Sequence, residues 1–139
     1  MLNVLSGHIP KGVKVDLQGE IFYNGHKVVG SLMRDGECRV LPQQDALLPV
    51  LTVRELLVHV ARLQLPFPQY SELFRQQRVN QVLDIADLGH LADRLIGKPE
   101  DSRLSGGERR RVSLACEILS PRPILFLDEP TTGLSASGM

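Results

Sequence analysis

The sequence predicts an α/β fold from three short stretches. A four-residue apolar run, Ile124–Leu127, is bounded by prolines and followed by two acidic residues, which is typical of a buried strand ending at the rim of a sheet. Ser105 and Glu108 have the spacing of a capping box and predict the start of an amphipathic helix. Gly19–Gly25 ends in Asn-Gly and predicts a strand that closes in a tight turn.

The composition favours a globular domain with no strong net charge. The 139 residues are 42% hydrophobic and 23% charged, and 16 basic residues balance 16 acidic ones. No overall field therefore attracts nucleic acid or an anionic membrane. Two distant cysteines without metal-ligand spacing fit a reduced cytosolic setting. Since no apolar run is long enough to span a bilayer, we expect that the chain does not itself cross a membrane.

The first part of the chain is predicted to hold a helical segment, a loop and two short strands. Met1–His8 has the pattern of a helix ended by glycine, and Pro10–Gly19 is polar and loop-like. The strand at Gly19–Gly25 comes next. Arg39–Gln43 then reads as a second short strand that runs into a loop.

Two helices are predicted in the middle of the chain. Thr52 and Glu55 have the capping-box spacing, and the apolar face that follows is Leu56, Leu57, Val60 and Leu63. Two prolines interrupt the chain, and Ser71 begins the next helix. Its apolar residues are expected mainly inward: Leu73, Phe74, Val79, Val82, Leu83 and Ala86. Packing in a core accounts for both apolar sets.

The helix that begins after Ser105 has two interpretations. Its apolar face is formed by Val112, Ala115, Ile118 and Leu119. Gly106 and Gly107 lack a Cβ, so another molecule can approach the backbone closely, and the free N–H groups at the positive end of the helix suit a phosphate. The alternative is an ordinary capped helix start.

Other polar positions also leave two interpretations open. Asp128 can hold Mg²⁺ and Glu129 can orient or deprotonate a water molecule, or both acids are simply solvated. The amide oxygen of Gln43 can reach Mg²⁺ or a water molecule, or it faces solvent in a loop. Arg109–Arg111 either contacts a phosphate or a partner, or forms a solvated helix face, which is the favoured interpretation.

Taken together, these segments resemble the ATPase domain of ABC transporters. Leu104–Glu108 (LSGGE) looks like the signature motif, ILFLDEP like the Walker B strand with its catalytic glutamate, and Thr131–Leu134 like the start of the D-loop. Gln43, followed by LTVRE at 51–55, resembles the Q-loop and its continuation. MLNVLSG at the start and ADRLIG at 92–97 resemble subfamily G half-transporters of the White and sterolin group.

The resemblance implies a truncated P-loop NTPase-like ABC ATPase core with a helical subdomain. Residues 1–139 would be a partial ATP-binding domain: partial core and Q-loop at 1–51, helical subdomain at 52–103, and signature helix, Walker B strand and D-loop start at 104–139. In this family two ATPase domains sandwich two ATP molecules. The implied partners are therefore a second ABC ATPase domain, in a homodimer or heterodimer, and a transmembrane domain, with no nucleic acid.

The resemblance also implies roles for the candidate residues. The signature residues Ser105, Gly106, Gly107 and Glu108 would bind ATP held mainly by the partner domain. Glu129 and Gln43 would be catalytic and position the attacking water, and Asp128 and Gln43 would bind Mg²⁺. Hydrolysis would power transport, of the sterol- or lipid-exporting type, with the domain on the cytoplasmic face of a membrane.

The sequence departs from the family pattern in three places. No G-x-x-x-x-G-K-[ST] phosphate loop (Walker A) occurs, and the pair Gly97-Lys98 is predicted to be a plain loop. Ser135 stands where the D-loop aspartate is expected, which puts the dimer geometry in doubt. No histidine follows Asp128, so the histidine switch is missing. We therefore expect the chain alone not to hydrolyse ATP.

Three interpretations of the whole chain remain. The first is a fragment of an ABC exporter ATPase, with Met1 matching the residue after the phosphate loop. The second is a short non-catalytic interaction protein that caps a full-length ABC partner through its signature face. The third is a soluble ABC ATPase acting on DNA or ribosomes, which the neutral charge and the LTVRE and ADRLIG segments disfavour.

Overall fold

The computed structural model describes residues 19–20, 22–27, 38–41, 47–101, 103–122 and 124–127. These residues divide into two compact units. Those between 19 and 41, together with 122–127, form a strand unit, and those between 47 and 121 form a helical unit. The predicted mixture of strands and helices is thus present, with the two kinds of element in separate units.

The strand unit contains a hairpin. β1 (Phe22–Tyr23) pairs antiparallel with β2 (His26–Lys27). Asn24 and Gly25 join them with φ of 48° and 79°, and two successive positive φ values are what a type I′ hairpin turn requires. The predicted strand closing in an Asn-Gly turn is therefore confirmed.

The same unit contains a parallel strand pair. β3 (Cys38–Leu41) pairs with β4 (Ile124–Leu127), with Cys38 opposite Ile124 and Leu41 opposite Leu127. β4 was expected from its apolar run and proline boundaries, and β3 overlaps the short strand predicted at Arg39–Gln43. The side chains of β4 are only partly buried, so the expectation of a fully buried strand was too strong.

The helical unit is built from α1 (Val53–Gln64), α2 (Glu72–Ile85) and α3 (Gly106–Ile118). Two short 3₁₀ helices, Gly89–Leu91 and Pro99–Asp101, lie in the connection between α2 and α3. Thr52, Ser71 and Ser105 cap the three helices with their side-chain oxygens. These are the helix starts that the sequence predicted, because N-capping depends only on neighbouring residues.

One apolar core holds the three helices together. Its buried members come from all three helices, from the C-cap residues of α1 and α3, and from the α2–α3 connection: Val53, Leu56, Leu57, Ala61, Leu65, Val79, Val82, Leu83, Leu88, Leu91, Ala92, Ile96, Leu104, Val112, Ala115 and Leu119. Leu104, the residue before the α3 cap, belongs to this core. The start of α3 is therefore anchored by burial as well as by capping.

Three residues that were expected inward are exposed. Leu63 is 83% exposed, because in the last turn of α1 Ala61 and Leu65 fill the contact with the core. Leu73 and Phe74, in the first turn of α2, are 64% and 41% exposed. The inward position of that turn is taken by the nearby Arg75, whose Nε donates to the Leu65 carbonyl at 2.8 Å.

An arginine from α2 holds the end of α3. Arg78 Nη2 donates to the Ile118 carbonyl at 2.6 Å, and its Nε donates to the Leu119 carbonyl at 3.0 Å. The last carbonyl groups of a helix have no donor within the helix. Arg78 supplies donors there, while α3 itself has no basic residue in its last turn.

Candidate functional site

The candidate site is the turn Ser105–Glu108, called the signature turn from here on. Ser105 Oγ accepts the Glu108 N–H at 3.2 Å, and Glu108 Oε2 accepts the Ser105 N–H at 2.6 Å. Both halves of the predicted capping box are therefore present. This reciprocal pair fixes the backbone of the turn at the point where α3 begins.

The signature turn has donors available for an anion. Ser105 and Gly106 are exposed and Gly107 is partly exposed. The N–H groups of Gly106 and Gly107 lie in the first turn of α3, where an N–H has no acceptor within the helix. Ser105 Oγ is used as an acceptor by the cap, and its rotatable hydroxyl proton can donate either to the Glu108 carboxylate or to a ligand. Together with the positive end of the helix dipole, these groups suit a phosphate oxygen.

The carboxylate of Glu108 stays charged beside these donors. Its pKa is lowered from the ordinary value of 4.5, first by the hydrogen bond from the Ser105 backbone N–H, then by the Ser105 hydroxyl, Arg94 and Arg111. A charged carboxylate holds the Ser105 backbone more strongly than a neutral one would. Glu108 therefore orders the turn and leaves the glycine N–H groups to bind a ligand.

The arginines after the signature turn do not form a solvated face, so the favoured interpretation of Arg109–Arg111 was wrong. Arg109 and Arg110 are 8% and 7% exposed. Arg109 Nη1 donates to the carbonyl groups of Ile96 and Gly97 at 3.2 and 3.0 Å. Only Arg111 reaches the surface, where it pairs with Asp87 at 3.2 Å. Consecutive residues lie about 100° apart around a helix, so the three arginines point in different directions, and the side chains of Arg109 and Arg110 are covered by the rest of the helical unit.

The parallel strands β3 and β4 end at the same edge of their sheet. Leu41 and Leu127 are partners in the β3–β4 register, so both strands end at the same level. In sequence, Asp128 and Glu129 follow Leu127 directly, and Gln43 follows Leu41 by two residues. These three predicted site residues lie outside the described residues. The carboxyl edge of a parallel sheet is the usual position for a ligand site in open α/β sheets.

The described part of the chain was also compared with the requirements of a metal site and of a membrane-spanning helix. Within those ranges, no group of three or more His, Cys, Asp or Glu side chains is placed to hold a metal ion. Among the described helices, none is both long and apolar enough to cross a membrane. Gly97 and Lys98 are not in a helix or strand, which agrees with the loop predicted for that pair.

Sequence reasoning missed the contact between Arg109 and the backbone at Ile96 and Gly97. Three arginines in a row gave no signal that the first would be buried. That outcome depends on which face of α3 packs against the rest of the helical unit. The face itself was indicated by Val112 and Ala115, and Arg109 lies close to it because it precedes Val112 by one turn.

Comparison with known proteins identifies the family. A profile described as "ABC transporter" matches residues 1–132, which include the signature turn and the strand β4 with its two acids. The chain belongs to the ABC transporter family. Domains of this family have a P-loop NTPase-like fold and bind ATP, so the predicted fold class is supported at that level.

The relatives of this ABC chain include several named as G family members. ABC transporter G family member 19 of Arabidopsis thaliana is 35% identical over 137 residues, 99% of this chain and 18% of the relative. ABC transporter G family member STR of Medicago truncatula is 39% identical over 136 residues, 98% of the chain and 16% of the relative. A probable ATP-dependent permease of Saccharomyces cerevisiae is 39% identical over 132 residues, which are 95% of this chain and 12% of the relative.

These matches confirm the resemblance to subfamily G over nearly the whole ABC chain. The chain spans about a fifth or less of the length of these relatives, 12–18% of the three named above. It therefore corresponds to a segment of such proteins that matches the ABC transporter family.

Proposed function

We propose that this chain contributes its signature turn to one ATP site and its Walker B acids to a second, in a pair of ABC ATPase domains that powers transmembrane transport. The observation that carries the proposal is the signature turn itself, an exposed, doubly capped helix start with two glycine N–H groups free of helical acceptors. The match to the ABC transporter family supports ATP as the nucleotide. A sterol- or lipid-exporting type is part of the proposal and is supported by the ADRLIG resemblance at residues 92–97.

In this proposal the signature turn acts on ATP that is held mainly by a second ABC ATPase domain. Ser105 Oγ–H and the N–H groups of Gly106 and Gly107 donate to the γ-phosphate, and Glu108 keeps the turn ordered. These donors fit a triphosphate because they converge at the positive end of α3. Their work is positioning and charge stabilisation, which is most of what phosphoryl transfer requires of a protein.

The acids and the glutamine act at the other proposed ATP site, which takes its signature turn from the partner domain. Glu129 accepts a proton from the attacking water and Gln43 orients that water, while Asp128 and Gln43 provide oxygen ligands for Mg²⁺. Mg²⁺ would neutralise charge on the phosphates. The β3–β4 register supports this grouping, because the chain leaves both strands at one level. The proposed domain division at residues 51 and 103 remains a prediction.

A transmembrane domain is the second proposed partner. Large apolar side chains are exposed near the α1–α2 connection, with Leu63 at 83%, Phe67 at 79% and Leu73 at 64%. A contiguous patch of such side chains would suit a surface that another protein covers. We propose that the helical unit contacts the transmembrane partner. The chain would then lie on the cytoplasmic side of the membrane.

The first experiment measures ATP turnover by the 139-residue chain with Mg²⁺. We expect no turnover above that of the Glu129→Gln variant, because the sequence contains no phosphate loop to supply most of the ATP affinity. Clear turnover that Glu129→Gln abolishes would contradict the expected inactivity of the chain alone.

The second experiment measures ATP-dependent association with an ATPase domain of a G family relative that carries its own phosphate loop. Gly106→Asp should abolish association, because a carboxylate there repels the γ-phosphate yet is favourable in the first turn of a helix. Gln77→Asp adds the same charge to the exposed face of α2 and should leave association intact. Equal behaviour of the two variants would refute the role of the signature turn. ATP-dependent association without turnover in the mixture would favour the short non-catalytic interaction protein.

A further inference from the structure

The segment that leads to the signature turn is a closed loop. Lys98 and Asp101 bond to each other twice, through Asp101 Oδ2 and the Lys98 N–H and through the Asp101 N–H and the Lys98 carbonyl, both at 3.0 Å. At the end of the loop Leu104 is buried in the core. At its beginning Gly97 has a φ of 65° and packs against the Arg103 side chain. The path of the loop is therefore defined at both ends.

The beginning of this loop is also bonded to the segment that precedes α1. The Ile96 N–H donates to the Leu51 carbonyl at 2.9 Å, and the Gly97 N–H donates to the Pro49 carbonyl at 3.0 Å. In sequence, Pro49–Leu51 follows the predicted Q-loop residue Gln43 by a few positions. The N–H groups at Ile96 and Gly97 thus face one segment of the helical unit.

The carbonyl groups of the same two residues face α3. Arg109 Nη1 alone donates to both of them, at 3.2 and 3.0 Å, and the side chain is almost fully buried. One guanidinium nitrogen therefore joins the second turn of α3 to the residues bonded to Pro49–Leu51. A hydrogen bond from a charged donor is about twice as strong as a neutral one.

The capping box does not fix the position of the signature turn relative to Ile96 and Gly97. It fixes the signature turn only relative to α3, because all its atoms belong to Ser105 and Glu108. Leu104 is held by apolar contacts, which are not directional. The bonds from Arg109 are a direct, directional link between α3 and the backbone at Ile96 and Gly97, and a second bond, from Arg94 Nη1 to the Arg103 carbonyl at 3.4 Å, lies just before the turn.

We propose that Arg109 is a positioning residue for the signature turn. Its guanidinium holds the start of α3 at a fixed distance from the backbone at Ile96 and Gly97, and through them from Pro49–Leu51. The γ-phosphate donors are then presented in one arrangement. This inference rests on the proposed function for the binding of phosphate, but the immobilisation of the turn can be measured without any nucleotide.

The test compares ¹⁵N-labelled wild-type chain with Arg109→Met, Arg109→Lys and Arg75→Met. Methionine keeps the apolar stem but removes the donors, whereas the lysine ammonium keeps three donors and the charge. Arg75 is the matched control, because it is also largely buried and donates to a backbone carbonyl, that of Leu65, away from the signature turn. Both methionine variants should lose stability to a similar degree.

The first readout is amide hydrogen exchange at Gly97, Ser105 and Glu108, whose N–H groups are bonded in the folded chain. In Arg109→Met the three amides should exchange at least about tenfold faster, beyond any change common to the whole chain. Opening of the turn in this variant no longer requires the Arg109 hydrogen bonds to break. Arg109→Lys should recover part of the protection. Unchanged exchange, or the same acceleration in Arg75→Met, would overturn the inference.

The second readout is titration with Mg²⁺-ATP at millimolar concentrations, followed at the Gly106 and Gly107 amide signals. Affinity should fall about tenfold in Arg109→Met, recover partly in Arg109→Lys and stay unchanged in Arg75→Met. Equal affinity in wild type and Arg109→Met would overturn the positioning role. If the wild type shows no saturable change, the phosphate contact requires ATP held by the partner domain, and hydrogen exchange alone decides whether Arg109 fixes the turn.

Discussion

Replacing Ser105 by alanine tests the capping box at the candidate site directly. The change removes the acceptor of the Glu108 N–H, and loss of such a cap costs about 0.5–2 kcal/mol. The return bond to the Ser105 N–H uses the backbone and survives the change. We therefore expect a loss of about 1 kcal/mol in the free energy of unfolding, which is roughly a fivefold change in the folded-to-unfolded ratio.

The chain contains its own control for this variant. Thr52 and Glu55 form a second capping box at the start of α1, with the Glu55 N–H donating to Thr52 Oγ1 at 3.2 Å and the Thr52 N–H donating to Glu55 Oε2 at 2.8 Å. Thr52→Ala should therefore destabilise the helical unit about as much as Ser105→Ala. Urea unfolding followed by helical circular dichroism measures both. Only Ser105→Ala should also weaken ATP-dependent association.

The pH dependence of the unfolding free energy gives a second test of the Ser105–Glu108 capping box. Because the folded pKa of Glu108 is lowered, its contribution to stability is fully present above pH 4.5 and is lost as the pH falls through the lowered value. Glu108→Gln can still accept the Ser105 N–H but carries no charge. The difference in unfolding free energy between wild type and Glu108→Gln should therefore shrink on acidification. The reasoning fails if this difference does not depend on pH, or if Thr52→Ala destabilises while Ser105→Ala has no effect.

Three further predictions concern the helical unit. Leu57→Ala should cost about 2–5 kcal/mol because Leu57 is fully buried, whereas Leu63→Ala should change the unfolding free energy by less than about 0.5 kcal/mol; equal losses in urea unfolding would mean that the core is wrongly assigned. Gly97→Ala should destabilise by about 1 kcal/mol or more, since its φ is 65° and the new Cβ would lie 2.6 Å from Arg103 Cδ; a thermal midpoint at or above that of wild type would refute this. Partial burial, with a smaller effect of a neighbouring glutamate, raises the pKa of the Cys116 thiol to about 12, so iodoacetamide at pH 8 should label it only after unfolding, and rapid labelling of Cys116 in the folded chain would contradict the raised pKa.

The elements that the sequence predicted correctly are those set by neighbouring residues. The two capping boxes and the Asn24-Gly25 turn each need only about four consecutive residues, and all three were found where expected. The signature turn was among them, so the best described part of the candidate site could be predicted. The roles of Gln43, Asp128 and Glu129 stay predictions.

The errors concern which side of a helix faces the core. Leu73 was assigned inward because it is apolar, and Arg109 outward because it is charged, and both assignments were wrong. Periodicity does indicate a face, but the first and last turns of a helix are covered only where a neighbouring element reaches them. Backbone carbonyl groups that need a donor can also draw an arginine inward. Neither effect is visible in a single sequence.

The contact between Arg78 and the end of α3 bears on the order in which the helical unit assembles. The start of α3 is specified within four residues, and an isolated peptide containing Ser105–Ser120 should already favour it. The end depends on a donor 40 and 41 positions earlier in the chain. Such a peptide should therefore fray beyond Cys116, because the final carbonyl groups have only water as donor. We therefore expect helix α3 to acquire its full length only after α2 has docked.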